Sequence, residues 1–132
     1  MPVTLRQIEG EPILLVTIDG LLNAEMVRKL YENIGKLAQE IDGPVYRITD
    51  VRKLETTFAE LMGILKEAMK DSPGTTSDKN ITNIFVGRDK FALLARDMLK
   101  RINPDNHPLF DTIEDALTFI QLDLIKRGKD SA

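Results

Sequence analysis

The stretch PVYRITDVRKLETTFAELMG, Pro44 to Gly63, decides the fold. Gly43-Pro44 breaks any preceding helix, and Val45, Tyr46, Ile48 and Val51 are β-branched or aromatic, so Val45 to Thr49 reads as a buried strand. Asp50 then stands at the strand's carboxyl end, the edge of an open α/β sheet where loops converge and ligands bind. An aspartate there also commonly caps its own turn. Thr57 and Glu60 have capping-box spacing, which predicts a helix start. Phe58, Leu61, Met62, Leu65 and Met69 follow at helical spacing as an apolar stripe directed at the core, and Asp71-Ser-Pro-Gly74 ends the helix.

Working outward, Val3 to Ile8 alternates weakly and reads as an edge strand, turned by Glu9-Gly-Glu-Pro12 into Ile13 to Ile18. ILLVTI is nearly all apolar, as expected of a strand covered on both faces, and the two strands form a hairpin. Asn23 suits the N-cap of a helix bearing Met26, Leu30, Ile34, Leu37 and Ile41. After the central stretch, Asp71 to Asn80 (DSPGTTSDKN) reads as a mobile polar loop, either a lid, a partner contact or a tolerated insertion. Ile81 to Val86 is another buried strand, and Asp89 caps a helix carrying Phe91, Leu94, Ala95, Met98 and Ile102. A short strand, Leu109-Phe110, precedes a last helix capped by Asp111 or Thr112. That helix places Ile113, Leu117, Ile120 and Leu124 on one side and Phe119, Leu122 and Ile125 on the other. The second face is covered either within the fold or by another subunit, which makes Phe119, Leu122 and Ile125 a candidate homodimer contact.

At 132 residues with a net charge of −3, the chain suits one domain and lacks the basic surface that nucleic acid needs. It has no cysteine, so disulfides, thiolate catalysis and zinc–cysteine sites are excluded, and a cytoplasmic setting is expected. The start, MPVTLRQIEG, has no signal-peptide pattern, and no apolar run is long enough for a membrane span. Catalytic equipment is thin. The single histidine, His107, lies in a Pro-flanked loop, no Gly-rich phosphate loop or metal-ligand spacing is present, and no cofactor or metal is expected. Asp19 and Asp50 end adjacent strands and would suit acid–base work only if they approached one another. Arg88, Lys90, Arg96, Lys100 and Arg101 make the third helix and the turn before it basic, a solvated face or a receiver for an acidic partner.

The element order, with TDVRKLETTFAELMGIL after the third strand and LFDTIEDALTFI at the end, resembles the STAS family, particularly its stand-alone SpoIIAA-like members. The likeness runs from about Leu14 to Ile120. It implies an α/β fold: a mostly parallel sheet of about five strands, an N-terminal antiparallel hairpin and four helices. Residues 1–126 would form a single STAS-like domain, with 127–132 a frayed C-terminal tail. It further implies a non-enzymatic regulatory domain that binds another protein, through Asp50, Lys53, Glu55, Thr56, Thr57 and Glu60. In such regulators a serine at the corresponding helix start is phosphorylated; here Ala59 and Glu60 stand in the places of the serines, so the usual phosphoacceptor is missing. A shifted register would give Thr56 or Thr57 that role, although Thr57 already has one as helix cap; the alternative is that Glu60 acts as a fixed negative charge. Another SpoIIAA-like branch is similar in fold to lipid-binding CRAL-TRIO domains. The alternative it implies is an apolar small molecule or lipid held between sheet and helices by Phe58, Met62, Met69, Phe91 and Met98, residues that otherwise simply fill a core.

Overall fold

A computed structural model describes residues 3–70, 72–101 and 108–131; the side chains of Phe91 and of residues 129–131 are outside the described set, as are Ile102 and His107. The chain runs β1 (Val3–Gln7), β2 (Ile13–Leu21), α1 (Ala24–Gln39), β3 (Val45–Glu55), α2 (Phe58–Ala68), β4 (Ile81–Val86), α3 (Lys90–Lys100), β5 (Leu109–Phe110) and α4 (Ile113–Ser131). The strands form one five-stranded sheet in sequence order, with β1 antiparallel to β2 and every later pairing parallel.

Because side chains alternate across a strand, each face of the sheet carries its own core. Leu14, Val16, Ile18, Val45, Val51 and Ile81 pack beneath α1, where Val27, Leu30 and Ile34 are buried, and Leu61, Leu65, Ala68 and Leu99 join α2 to α3 on the same side. Ile13, Leu15, Tyr46, Ile48, Ile84 and Val86 face the other way and are covered by α4 through Ala116 and Ile120. Helix starts fall where the caps predict. The side chain of Asn23 accepts the Met26 N–H, Thr57 the Glu60 N–H and Asp89 the Ala92 N–H, while Thr112 accepts the Asp115 N–H.

Four expectations need correction. First, β3 does not stop at Thr49. β2 continues to Leu21 past a register irregularity between Thr17 and Asp19, and its partner β3 follows it to Glu55. β4 and β3 part company at Asp50 and Val86, so beyond that level β2 and β3 project as a two-stranded ribbon. Secondly, Phe58 and Met69 are 60% and 53% exposed: one opens α2 and the other is its C-cap, where neighbouring elements no longer cover the stripe. Leu94 is likewise exposed, with Ala92 and Leu99 taking the core side of α3. Thirdly, the segment after α2 is not a loose polar loop. Gly74, Thr75 and Thr76 are buried, Thr75 Oγ1 donates to the Lys70 and Ser72 carbonyls, and Ser77 Oγ donates to the Ala68 carbonyl. Fourthly, Phe119 belongs to the core, its ring centroid 5.5 Å from that of Phe110; Leu122 and Ile125 alone of that trio are exposed. α4 itself continues through Arg127, whose guanidinium bonds Asp123 and Thr82, to Ser131.

Candidate functional site

The ribbon and the start of α2 bring most of the candidate partner-binding residues to one end of the sheet. Lys53 and Glu55 are exposed on the ribbon, opposite Asp19 and Leu21 respectively. The chain then turns, with the Glu55 carbonyl accepting the Leu22 N–H and the Thr56 hydroxyl within 3.4 Å of the Thr57 carbonyl, before Thr57 caps α2 with Glu60 exposed in its first turn. Two apolar side chains stand in this polar setting. Leu21 at the end of β2 is 67% exposed and Phe58 60%.

Asp50 differs from its neighbours in being nearly buried. Its Oδ1 accepts the Arg52 backbone N–H at 3.1 Å and Nε at 2.9 Å, and its Oδ2 accepts Nη2 at 2.8 Å. This is the turn-capping geometry expected of an aspartate at such a position, reinforced by a guanidinium. Burial pushes the Asp50 carboxyl up, but the side-chain and backbone bonds from Arg52, with the charges of Arg52 and Lys53, outweigh it and hold the group below its ordinary value. An acid–base pair with Asp19 would need the opposite shift, and Asp19 pairs in register with Lys53 rather than with Asp50.

A second polar centre lies inside the molecule, where sequence periodicity gave no hint of it. Arg47 is 2% exposed near the start of β3. Its Nη1 donates to the Gly74 carbonyl at 2.7 Å, its Nη2 to Thr76 Oγ1 at 3.0 Å and to Asn83 Oδ1, and its guanidinium lies 5.0 Å from the centre of the Tyr31 ring. Tyr31 Oη and Thr76 Oγ1 are 3.0 Å apart, and Asn83 Nδ2 donates to the Thr76 carbonyl at 3.2 Å. Burial lowers the Arg47 pKa from its ordinary value, opposed by Tyr31 and Asp78. The one signal for this cluster was that Arg47 and Asn83, polar residues within stretches read as buried strands, share a sheet register.

A cavity of about 80 Å³ adjoins this cluster, between the sheet and α1 to α3. Its wall includes Leu22, Val51, Leu61, Ile64, Phe85 and Leu99, with Arg47 and Tyr31 at the polar side. None of Phe58, Met62, Met69 and Met98 lines it: Met62 and Met98 pack into the α2–α3 core, and the other two are exposed. The expected ligand set therefore does not gather around a common space.

On the opposite face Tyr46 is fully buried, and its hydroxyl donates to Asp123 Oδ2 at 2.6 Å. Arg127 bonds the same carboxylate at 3.0 Å and lies over the Tyr46 ring. Burial, followed by the bond to Asp123, raises the phenol pKa well above its ordinary value, so Tyr46 stays a donor throughout the range in which the protein would be studied.

This architecture, a mixed sheet with three helices on one face and the last helix on the other, is the SpoIIAA-like fold. It is shared, at a TM-score of 0.60 and 15% identity over 89% of this chain and 90% of the other, with an uncharacterized protein from the DUF3478 family of Shewanella loihica PV-4. The unphosphorylated anti-sigma factor antagonist SpoIIAA matches with a TM-score of 0.57 at 11% identity, over 90% of this chain and 97% of that one. An anti-sigma factor antagonist from Mycobacterium paratuberculosis matches with a TM-score of 0.52 at 16% identity, over 90% and 92% of the two chains. No protein-family model matches the sequence, and neither does any curated protein. Among the described residues no helix is long and apolar enough to cross a membrane.

Proposed function

We propose that this chain is a non-enzymatic regulatory domain that captures another protein with the ribbon tip and the first turn of α2. The supporting observation is the pair of large apolar side chains, Leu21 and Phe58, left exposed among Lys53, Glu55, Thr56, Thr57 and Glu60. An apolar anchor within a polar rim is how protein interfaces concentrate their binding energy. Two of the structural neighbours are anti-sigma factor antagonists, which fits a regulatory role for a chain of the same fold. Asp50 has a positioning part in this reading: by holding Arg52, it sets the course of the ribbon that presents Lys53 and Glu55.

The test is native mass spectrometry of the protein purified gently from its own source, beside a Phe58→Glu form and a form altered at the far end of α4. A partner retained by the wild type and by the α4 variant but lost from Phe58→Glu supports the reading. Retention of the same partner by a folded Phe58→Glu protein refutes it.

A further inference from the structure

Arg47 carries its charge into the interior without a carboxylate bonded to it; Asp78 acts on it only through space. Among the described residues no carboxylate lies within ion-pairing distance of it, and its acceptors, the Gly74 carbonyl, the Thr76 hydroxyl and the Asn83 amide oxygen, are all neutral. These bonds occupy three of the five guanidinium hydrogens, leaving the Nε hydrogen and one Nη1 hydrogen without an acceptor among the described residues. An arginine so deeply buried ordinarily has its charge paired and its donors satisfied. The same guanidinium borders the cavity of about 80 Å³ whose other walls are mainly aliphatic, from Leu22, Val51, Leu61, Ile64 and Leu99.

We infer that this cavity binds a short monocarboxylate, with its carboxylate on Arg47 and its alkyl end among the aliphatic side chains. The chemistry follows from the walls. A planar guanidinium with free N–H groups selects an oxyanion, and the small, mainly aliphatic space beside it suits a singly charged carboxylate better than a phosphate. The apolar remainder disfavours water and rejects a second charge. Volume sets the length: a cavity of roughly 150 Å³ accommodates benzene, so about half that space suits an acid of about two to four carbons and excludes a fatty acid. Tyr31, whose ring centre lies 5.0 Å from the guanidinium carbon and whose hydroxyl bonds Thr76, helps to fix the place of the receptor group. This site is independent of the partner surface at Phe58, so either assignment can fail without the other.

The test is a titration of the folded full chain with sodium propionate at constant ionic strength, followed through the methyl signals of Leu, Ile and Val in a carbon–proton correlation spectrum. 1-Propanol, similar in size and uncharged, is the control. Saturable shifts confined to cavity methyls such as Val51, Leu61 and Ile64 are expected, in roughly the millimolar range because so few atoms are buried. Propanol should bind at least about tenfold more weakly, since the charge-assisted bonds are lost. Ala95→Leu, which adds bulk to the cavity wall while leaving Arg47 in place, should abolish the shifts. The assignment is overturned by an absence of saturable shifts with propionate, by equal binding of propanol, or by propionate binding that survives Ala95→Leu.

Discussion

Gly35 of α1 and Gly74 of the segment before β4 meet backbone to backbone. A Cβ on Gly74 would collide with the Tyr31 carbonyl and come within 2.6 Å of the Gly35 nitrogen, and a Cβ on Gly35 would lie 3.1 Å from the Pro73 carbonyl oxygen. The close approach brings the Gly74 carbonyl down to Arg47, so the packing of a loop on a helix supplies one of the acceptors of a buried charge.

Replacing Gly74 with alanine should therefore cost at least about 3 kcal/mol, because the clash is with backbone that cannot rotate away and the residue has φ of +85°. Gly10 supplies the comparison. Its φ is +77° but nothing lies within 4 Å of its missing Cβ, so Gly10→Ala should cost only about 1 kcal/mol. Denaturant unfolding of the two variants measures the difference, and similar losses would mean that the glycine–glycine contact is dispensable.

Asp50→Asn should lower stability by about 1 to 2 kcal/mol at neutral pH, given that a carboxylate bonded to a half-exposed arginine gains less than a buried pair. Since the folded-state pKa lies below the ordinary value, the carboxylate's contribution is complete above the unfolded-state pKa and disappears as pH falls through the folded one. Thermal melts of wild type and Asp50→Asn should converge on acidification, through the carboxylate range and below. A gap that stays constant to low pH would assign the loss to shape rather than charge.

Tyr46→Phe removes one buried donor while leaving Asp123 its bond from Arg127, so a loss of about 1 to 2 kcal/mol is expected. Amide exchange should quicken in the last turns of α4 before it does elsewhere. Uniform acceleration across the sheet would show that the phenol supports the whole core instead of docking one helix end.

Leu122 and Ile125, at 63% and 58% exposure, should tolerate joint replacement by lysine with a change within about 0.5 kcal/mol in a monomer. Sedimentation over a concentration series detects the alternative. If the wild type self-associates and the double variant does not, the pair is a subunit contact.

The order of elements was legible because local chemistry marked it: the caps at Asn23, Thr57 and Asp89 and the apolar runs of β2 and β4 act within a few residues of themselves. Asp50 was legible for the same reason, since its main bonds reach only to Arg52. Arg47 was not. Its acceptors are 27 to 36 residues away, and the apolar pattern around it signals only that the strand is covered, not what a charge inside it would touch. The Phe58 and Met69 positions failed differently, because helical spacing identifies a stripe but not how far neighbouring elements extend along it. Phe119 was misplaced because α4 packs alone on its face of the sheet, and β5 brings Phe110 to cover a wider arc than one stripe.

Tyr46 and Arg47 are consecutive in β3, yet one fastens α4 and the other the segment around Gly74 and Thr76 on the opposite side. Their adjacency makes the central strand intolerant of misalignment. Sliding β3 by one position against β2 and β4 would turn the guanidinium toward the aliphatic bed of Ala116 and Ile120 and leave the Asn83 and Thr76 acceptors facing a phenol. Both layers would lose their fastening in a single step, so two neighbouring residues act as a checksum on the alignment of the whole sheet.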